Sequence, residues 1–114
     1  MKSKANFQII GRVGTVANTL QVGTNKVLKF SVACNYKHKT DTGTTIDNTN
    51  WYNIEAWNSL AGIGEKIISV GTQVCVEGII VPNKYKKNEV DVHTLNLKAT
   101  DIFVFGCKKE TQEK

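Results

Sequence analysis

The chain has 114 residues, with 15 lysines and arginines against 10 aspartates and glutamates, which gives a formal net charge of +5. A chain of this length forms one domain, and a hydrophobic content of 40% excludes disorder throughout. The three cysteines, Cys34, Cys75 and Cys107, have no paired short spacing, and neither histidine has a second metal-ligand type nearby. A disulfide framework, a zinc site and a bound cofactor are therefore not expected.

The first residues carry no targeting or membrane-spanning pattern. Residues 1–10 place Asn6 and Gln8 among few apolar side chains, unlike a secretion signal or a membrane span. We therefore expect a protein of the cytoplasm or of an organelle stroma, without membrane contact. A first strand is predicted at residues 7–13, in which Gly11 predicts a bulge or a sharp bend.

The second strand shows a clear alternation. A short run at residues 19–22 and a turn precede residues 27–34, where apolar and polar side chains alternate with a period of two. This period is typical of a half-buried strand. Residues 36–50 are polar, with Gly43 near the middle, and they predict a long hairpin loop.

Residues 51–57 form a third predicted strand with two unlike faces. One face carries the apolar side chains Tyr52, Ile54 and Ala56. The other face mixes polar side chains with both tryptophans, in the order Trp51, Asn53, Glu55 and Trp57. Two tryptophans on a polar face are costly to leave in water unless they have a partner.

A short helix and three extended segments complete the chain. Asn58 or Ser59 is predicted to cap the helix, and Gly71 is predicted to stop it. The predicted apolar face of the helix consists of Leu60, Ile63 and Ile67. The extended segments are residues 73–82, 89–97 and 102–105, with a hairpin tip at residues 84–88.

The order of these elements predicts the fold class. Strand, strand, strand, helix, strand, strand is the order of an all-β protein, a five-stranded OB-fold Greek-key barrel with one short helix between strands 3 and 4. An SH3-like barrel lacks a helix at that point, and a β-sandwich needs more strands. We expect the barrel domain at residues 1–106 and a short polar tail at residues 107–114.

Aromatic residues recur among basic ones outside the tryptophan pair. The two further clusters are Tyr36, Lys37, His38 and Lys39, and Lys84, Tyr85, Lys86 and Lys87. Fourteen of the fifteen basic residues are lysines, which attract phosphates without reading base edges, and aromatic rings stack on any base. The pattern therefore predicts a surface for single-stranded nucleic acid. The alternative is that the tryptophans pack against another strand or a second subunit and that the lysines are simply solvated.

Two further alternatives concern catalysis and the type of nucleic acid. Glu55 lies between the tryptophans, but a general base needs an acid partner or a metal-ligand set, and the sequence offers neither. We therefore expect no enzymatic activity. RNA stays open as a ligand, because stacking does not read the 2′-hydroxyl group.

Three segments carry a resemblance to a known family. Residues 29–34, 50–52 and 71–78 read KFSVAC, NWY and GTQVCVEG. They resemble the bacterial-type single-stranded DNA-binding protein family, usually called SSB, over about the first 105 residues, the span of one domain. The resemblance implies binding and protection of single-stranded DNA in replication, recombination and repair, in the nucleoid or an organelle stroma. The four stacking positions of the family fall on His38, Trp51, Trp57 and Tyr85.

The resemblance also implies an assembly. Family members form homotetramers that pair through the first strand, which places the pairing edge at residues 4–12. The apolar run Ile79, Ile80 and Val81 fits a strand that a second subunit covers. Members usually carry an acidic C-terminal peptide that docks replication and repair proteins, and the sequence ends at Lys114 without one. The alternative is a primosomal replication-restart OB protein, a dimer that binds strands weakly and recruits helicase machinery.

Overall fold

A computed structural model describes residues 3–16 and 18–105 of the chain. In these residues it contains six strands and one helix. Their bounds are β1 Asn6–Val16, β2 Leu20–Val22, β3 Asn25–Lys39, β4 Thr45–Trp57, α1 Ser59–Ile67, β5 Gln73–Lys87 and β6 Val90–Val104. The predicted polar tail and Cys107 lie outside the described residues.

Five of the strands close into a barrel. The strands are hydrogen-bonded in the order β1, β5, β6, β4 and β3, and a further pairing of β1 with β3 closes the ring. The pairing of β4 with β6 is parallel, and the others are antiparallel. This is the predicted OB-fold barrel. Because the short strand β2 is counted separately, the helix lies between β4 and β5, directly after the strand with both tryptophans, as predicted.

β1 is shared between two neighbours, and its glycines allow this. Residues 6–12 pair with β5 and residues 12–16 pair with β3. The irregularity predicted at Gly11 lies instead between Val13 and Thr15, where the register shifts. Gly11 has a different role, because a Cβ atom there would overlap the carbonyl oxygen of Ala33 on β3.

The barrel interior confirms the predicted alternation on β3 and β4. The core includes Leu28, Phe30 and Val32 from β3, Ile54 and Ala56 from β4, and Val74 and Val76 from β5. Val27 and Ser31 on the outward face of β3 are also buried, whereas Lys29 between them is exposed, so this face is covered at two positions that the alternation predicted to be open. The hydrophobic effect of these side chains fixes which face of each strand points inward, and therefore which face stays available.

The helix packs through a face only partly predicted, since Leu60 contacts the core as expected but the two isoleucines do not. Its buried residues are Ala61 and Gly64, whereas Ile63 is 50% exposed and Ile67 is 39% exposed. The reason is close packing, since a Cβ atom on Gly64 would lie 2.8 Å from a methyl group of Leu28. Small residues let the helix approach the barrel, so the larger isoleucines point away.

Both ends of the helix also differ from the prediction. Asn58 occupies the N-cap position, but its side chain accepts a hydrogen bond from the Lys26 backbone N–H at 3.1 Å and makes no capping bond. The helix ends at Ile67, and the Ile68 N–H donates to the Gly64 carbonyl oxygen at 2.8 Å. Gly71, with φ of 92°, lies in the following turn. α1 has nine residues, and no helix within the described ranges has the length and hydropathy to cross a membrane.

The segments predicted as loops are long hairpin arms. β3 and β4 stay paired without a shift from Val27 and Trp57 to Lys39 and Thr45, so within the predicted loop of residues 36–50 only residues 40–44 form the turn. β5 and β6 stay paired to Lys87 and Val90, and residues 89–97 and 102–105 belong to one continuous strand. A ladder of backbone hydrogen bonds stabilises strands that have no apolar alternation, which is why these segments look like loops in the sequence.

Candidate nucleic-acid interface

The outward side of β4 carries the predicted pair of tryptophans. We call Trp51, Asn53, Glu55 and Trp57 the β4 face. Trp51 is 59% exposed, whereas its strand neighbours Ile54 and Ala56 are buried in the core. The alternation of side chains along a strand therefore forces these four side chains outward, because the opposite face is committed to the barrel interior.

Trp51 rests on the backbone of β1. A Cβ atom added to Gly14 would overlap the six-membered ring of Trp51 and would lie 2.9 Å from its Cη2 atom. The register shift of β1 lies at this same place, between Val13 and Thr15. A glycine here lets the ring lie against the strand while more than half of the side chain remains open to solvent. The sequence had pointed to Gly11 and had not singled out Gly14.

Trp57 is held by two neighbours of opposite charge. Its indole Nε1–H donates a hydrogen bond to Glu55 Oε1 at 3.3 Å. The ammonium group of Lys98 lies over the ring, 5.5 Å from its centroid, which is within the range of a cation–π interaction. These contacts orient an indole that is half-buried and still partly open.

Two lysines that the sequence had not singled out flank the β4 face. Lys29 on β3 and Lys98 on β6 both pair in register with Glu55. Residues in register on neighbouring strands share a face, so Lys29 and Lys98 occupy the positions on either side of Glu55. The pairing of β4 with β6 joins strands that are distant in sequence, and no local pattern indicates it.

Tyr85 comes close to the β4 face. Together with Lys29, Asn53, Glu55 and Asn96 it lines a surface depression of about 450 Å³. Tyr85 is 46% exposed and lies in strand β5, so the predicted hairpin tip at residues 84–88 is wrong, since the turn comes at Asn88 and Glu89. The depression thus brings aromatic, amide, acidic and basic groups together.

The cluster on β3 is divided by its strand conformation. Tyr36 and His38 point to one side and Lys37 and Lys39 to the other, because successive side chains in a strand alternate. By register, Lys37 and Lys39 share the side of Trp51, which pairs with Ala33. The structure therefore does not unite all four residues of this cluster on one face.

The basic residues on the arms are exposed, and some face acids. Lys37 lies 3.9 Å from Asp47, and Lys84 lies 3.7 Å from Asp91. Exposed ion pairs of this kind contribute little to stability, so their lysines remain free to exchange a carboxylate for a phosphate. On β5, Lys84 and Lys86 alternate with Tyr85 and Lys87, so lysines project from both sides of this arm.

The cysteines have no reactive setting in the described residues. Cys34 donates a hydrogen bond to the Ile10 carbonyl oxygen at 3.3 Å, and burial raises the pKa of its thiol. Cys75 is only 6% exposed, and burial raises the pKa of its thiol with a further contribution from Glu77. Within residues 3–16 and 18–105, no three His, Cys, Asp or Glu side chains are grouped so as to hold a metal ion.

Comparison with known sequences gives consistent matches. The chain matches the single-strand binding protein family over residues 5–104. It is 25% identical over 103 residues to single-stranded DNA-binding protein 1 of Chlorobaculum tepidum, a match that covers 88% of this chain and 64% of that protein. It is 27% identical over 104 residues to the single-stranded DNA-binding protein of Neisseria meningitidis serogroup A, covering 90% of this chain and 60% of that protein. The chain thus spans less than two thirds of the length of these curated relatives.

A solved structure gives the same fold. The Plasmodium falciparum SSB, in a complex with single-stranded DNA, superimposes with a TM-score of 0.77 at 24% sequence identity. The match covers 93% of this chain and 98% of that chain. At this level of identity the likeness shows the fold, and it agrees with the closed barrel and its single helix.

Proposed function

The chain belongs to the single-strand binding protein family, and on that premise we propose that it binds single-stranded DNA with little sequence preference. The observation that carries the proposal is the β4 face, where Trp51 and Trp57 are held outward beside lysines. A structural neighbour that was solved with single-stranded DNA supports it. The function is binding and not catalysis, in line with the family.

Two kinds of interaction contribute to the proposed binding, namely stacking of bases and attraction of phosphates. Stacking of bases on Trp51, Trp57 and Tyr85 contributes about 1 to 3 kcal/mol per base and demands no sequence, and His38 provides a fourth position on the other side of the β3 arm. Lysines attract the phosphates. The predicted ones are Lys37, Lys39, Lys84, Lys86 and Lys87, and the register adds Lys29 and Lys98. Tyr36 points to the same side of the β3 arm as His38, away from the side of Trp51, so the proposed path of the strand includes both sides of this arm.

Stacking is tested by tryptophan fluorescence. Addition of oligo-dT should quench the emission, and W51A or W57A should weaken binding by about 1 to 3 kcal/mol each. A duplex of the same length should bind much more weakly, because paired bases hide their faces within the stack. Equal affinity for duplex and single strand without quenching would contradict the proposal and make the β4 face a packing surface.

Phosphate attraction is tested by salt. Each lysine that neutralises a phosphate of a single strand contributes about 0.7 to the slope of log affinity against log salt concentration. K86A or K87A should therefore flatten this plot, whereas W51A should leave its slope nearly unchanged. K66A serves as the control, because it removes the same charge from the last turn of α1, which is not part of the proposed binding surface.

We further propose that the chain assembles into a homotetramer. Residues 6–12 of β1 pair with β5, while their pairing with β3 begins only at Arg12, so one edge of the first part of β1 is open in the described residues. Ile10, Ile79 and Phe103 are large apolar side chains that stay exposed on β1, β5 and β6. Open edges and exposed apolar side chains invite a second copy.

Light scattering at micromolar concentration tests the assembly. A tetramer supports general protection of single strands in replication, recombination and repair, in the nucleoid or an organelle stroma. A stable dimer with modest affinity would support the replication-restart role and contacts with helicase machinery. A monomer would contradict the assembly and leave strand binding to be judged by the fluorescence result alone.

A further inference from the structure

The centre of the β4 face holds a carboxylate, which is an unusual group for a surface that binds a polyanion. Glu55 is half-buried between Trp51 and Trp57, and it lines the same depression as Tyr85. A carboxylate repels phosphates, so its presence there lowers general strand affinity unless it has another role.

The structural environment of Glu55 leaves it able to accept further hydrogen bonds. In the described residues its side chain accepts one side-chain hydrogen bond, from Trp57 Nε1 to Oε1, and Oε2 has no side-chain donor. Lys29 and Lys98 flank it in register, yet neither ammonium group comes within 4.0 Å of the carboxylate in residues 3–16 and 18–105. One oxygen therefore orients the indole ring, and the carboxylate, which lines the depression, keeps unused acceptor capacity.

We propose that Glu55 is a specificity-determining residue that favours bases with an exocyclic amino group over thymine and uracil. The inference rests on the proposed strand binding. An ionised carboxylate can only accept hydrogen bonds, and the amino groups of cytosine, adenine and guanine can donate them. Thymine and uracil instead present carbonyl oxygens on both sides of a single N–H, and these oxygens are repelled by a carboxylate.

The neighbouring polar groups do not favour either class of base. Asn53 and Asn96 line the depression, but an amide can donate or accept and so suits both classes. Lys29 donates and would favour a carbonyl oxygen, but its long exposed side chain is free to follow the phosphates. Among these groups, Glu55 can only accept hydrogen bonds, and its hydrogen bond from Trp57 fixes its position. Glu55 is therefore the residue that can distinguish the two classes of base.

The experiment compares two pyrimidine strands that stack alike. Oligo-dC and oligo-dU of equal length differ at position 4 and N3 of the base, and both lack the thymine methyl group. We expect the protein to bind oligo-dC about three- to tenfold more tightly than oligo-dU at neutral pH, the ratio that one net hydrogen bond supports. E55Q should bring this ratio close to one, because glutamine can both donate and accept.

The control is a variant with the same change in charge at a position away from the depression. D101N removes the same unit of negative charge on β6, at a position that pairs with Glu77 of β5, and it should raise affinity for both strands while leaving their ratio unchanged. E55Q retains an acceptor for Trp57 Nε1, so quenching of tryptophan emission should persist and report an intact surface.

The outcomes separate the inference from the function beneath it. Quenching by both strands with a ratio near one in the wild-type protein, or with the same ratio in E55Q, would overturn the role of Glu55 alone. Failure of both strands to bind would overturn the proposed function and the inference with it. A ratio that E55Q removes and D101N keeps supports the inference.

Discussion

The barrel and the hairpin arms are built from the same strands but obey different rules. On β4, Ile54 is 1% exposed in the barrel, whereas Ile46 on the arm is 42% exposed. The two residues lie on the same side of one strand, and the ladder to β3 runs unbroken past both. In the barrel the side chains hold the strands together, while on the arms the backbone ladder holds them and the side chains stay available.

This difference teaches where binding residues can accumulate. A side chain in the barrel interior is constrained by packing on all sides, so its identity follows from the core. A side chain on an arm has no such constraint, and the arms of β3 and β5 are where tyrosines and lysines alternate. The β4 face is intermediate between the two, because its strand belongs to the barrel while its side chains point outward.

The largest effect is expected from two matched variants on β4, one in the barrel and one on the arm. I54A should lower the free energy of unfolding by about 2 to 5 kcal/mol, because it leaves a cavity in the core. I46A removes the same atoms from the arm and should change stability by about 0.5 kcal/mol or less. Urea unfolding measures both. Similar losses for the two variants would show that the arm is packed in solution and would break the distinction.

The next test concerns the boundary between barrel and β4 face. G14A places a methyl group where the Trp51 ring lies, so the ring must move, and strand affinity should fall by about 1 to 3 kcal/mol, as for a lost stack. Oligo-dT titration followed by tryptophan emission measures it. G62A is the matched control, because a methyl group there meets no atom within 4 Å. Unchanged affinity in G14A would mean that Trp51 needs no support from β1.

A smaller effect is expected at the end of the β5 and β6 arm. Asn88 and Glu89 both have positive φ, 51° and 65°, which is the conformation of a type I′ turn and favours glycine at the second position. E89G should therefore raise the free energy of unfolding by about 0.5 to 1 kcal/mol. E89A removes the charge but keeps the Cβ atom, and it should show no such gain. A gain in both variants would assign the effect to charge instead of backbone.

The smallest expected effect is a pH dependence at the helix. The pKa of Glu65 is lowered by hydrogen bonds from Lys26 first and Thr19 second, at 2.9 Å each. A lowered pKa in the folded state means that this stabilisation is present above the unfolded-state pKa and is lost as pH falls through the folded-state pKa. The melting temperature of the wild type should therefore approach that of E65Q in acid. A constant difference between the two would contradict the assigned pKa.

The barrel could be predicted because its strands alternate. Ile54 and Ala56 against Trp51 and Trp57 is a pattern that only an inward and an outward face explain, and the helix after it fixed the order of elements. The outward tryptophans followed from the same alternation. The arms could not be predicted, because their strands are stabilised by backbone pairing across residues such as His38 and Ile46, which leaves no apolar period to read.

The sequence did not predict those details of the site that depend on contacts between distant segments. Lys98 reaches Trp57 only through the parallel pairing of β6 with β4, and Gly14 meets Trp51 only because β1 closes the ring. The spacing of Leu60, Ile63 and Ile67 predicted the helix face, but the space beside Leu28 admits only a residue as small as Gly64, so the two isoleucines stay exposed. Periodicity describes one element at a time, and these contacts each join two.

The double pairing of β1 has a consequence for the order of folding. The hairpins of β3 with β4 and of β5 with β6 join neighbouring segments, so they can form as soon as each has been synthesised. β1 is synthesised before the other strands of the barrel, yet residues 6–12 find their partner only when β5 has emerged. We expect closure of the barrel by β1 to be the last step, and an unpaired β1 to be the segment that exchanges most readily between nascent chains.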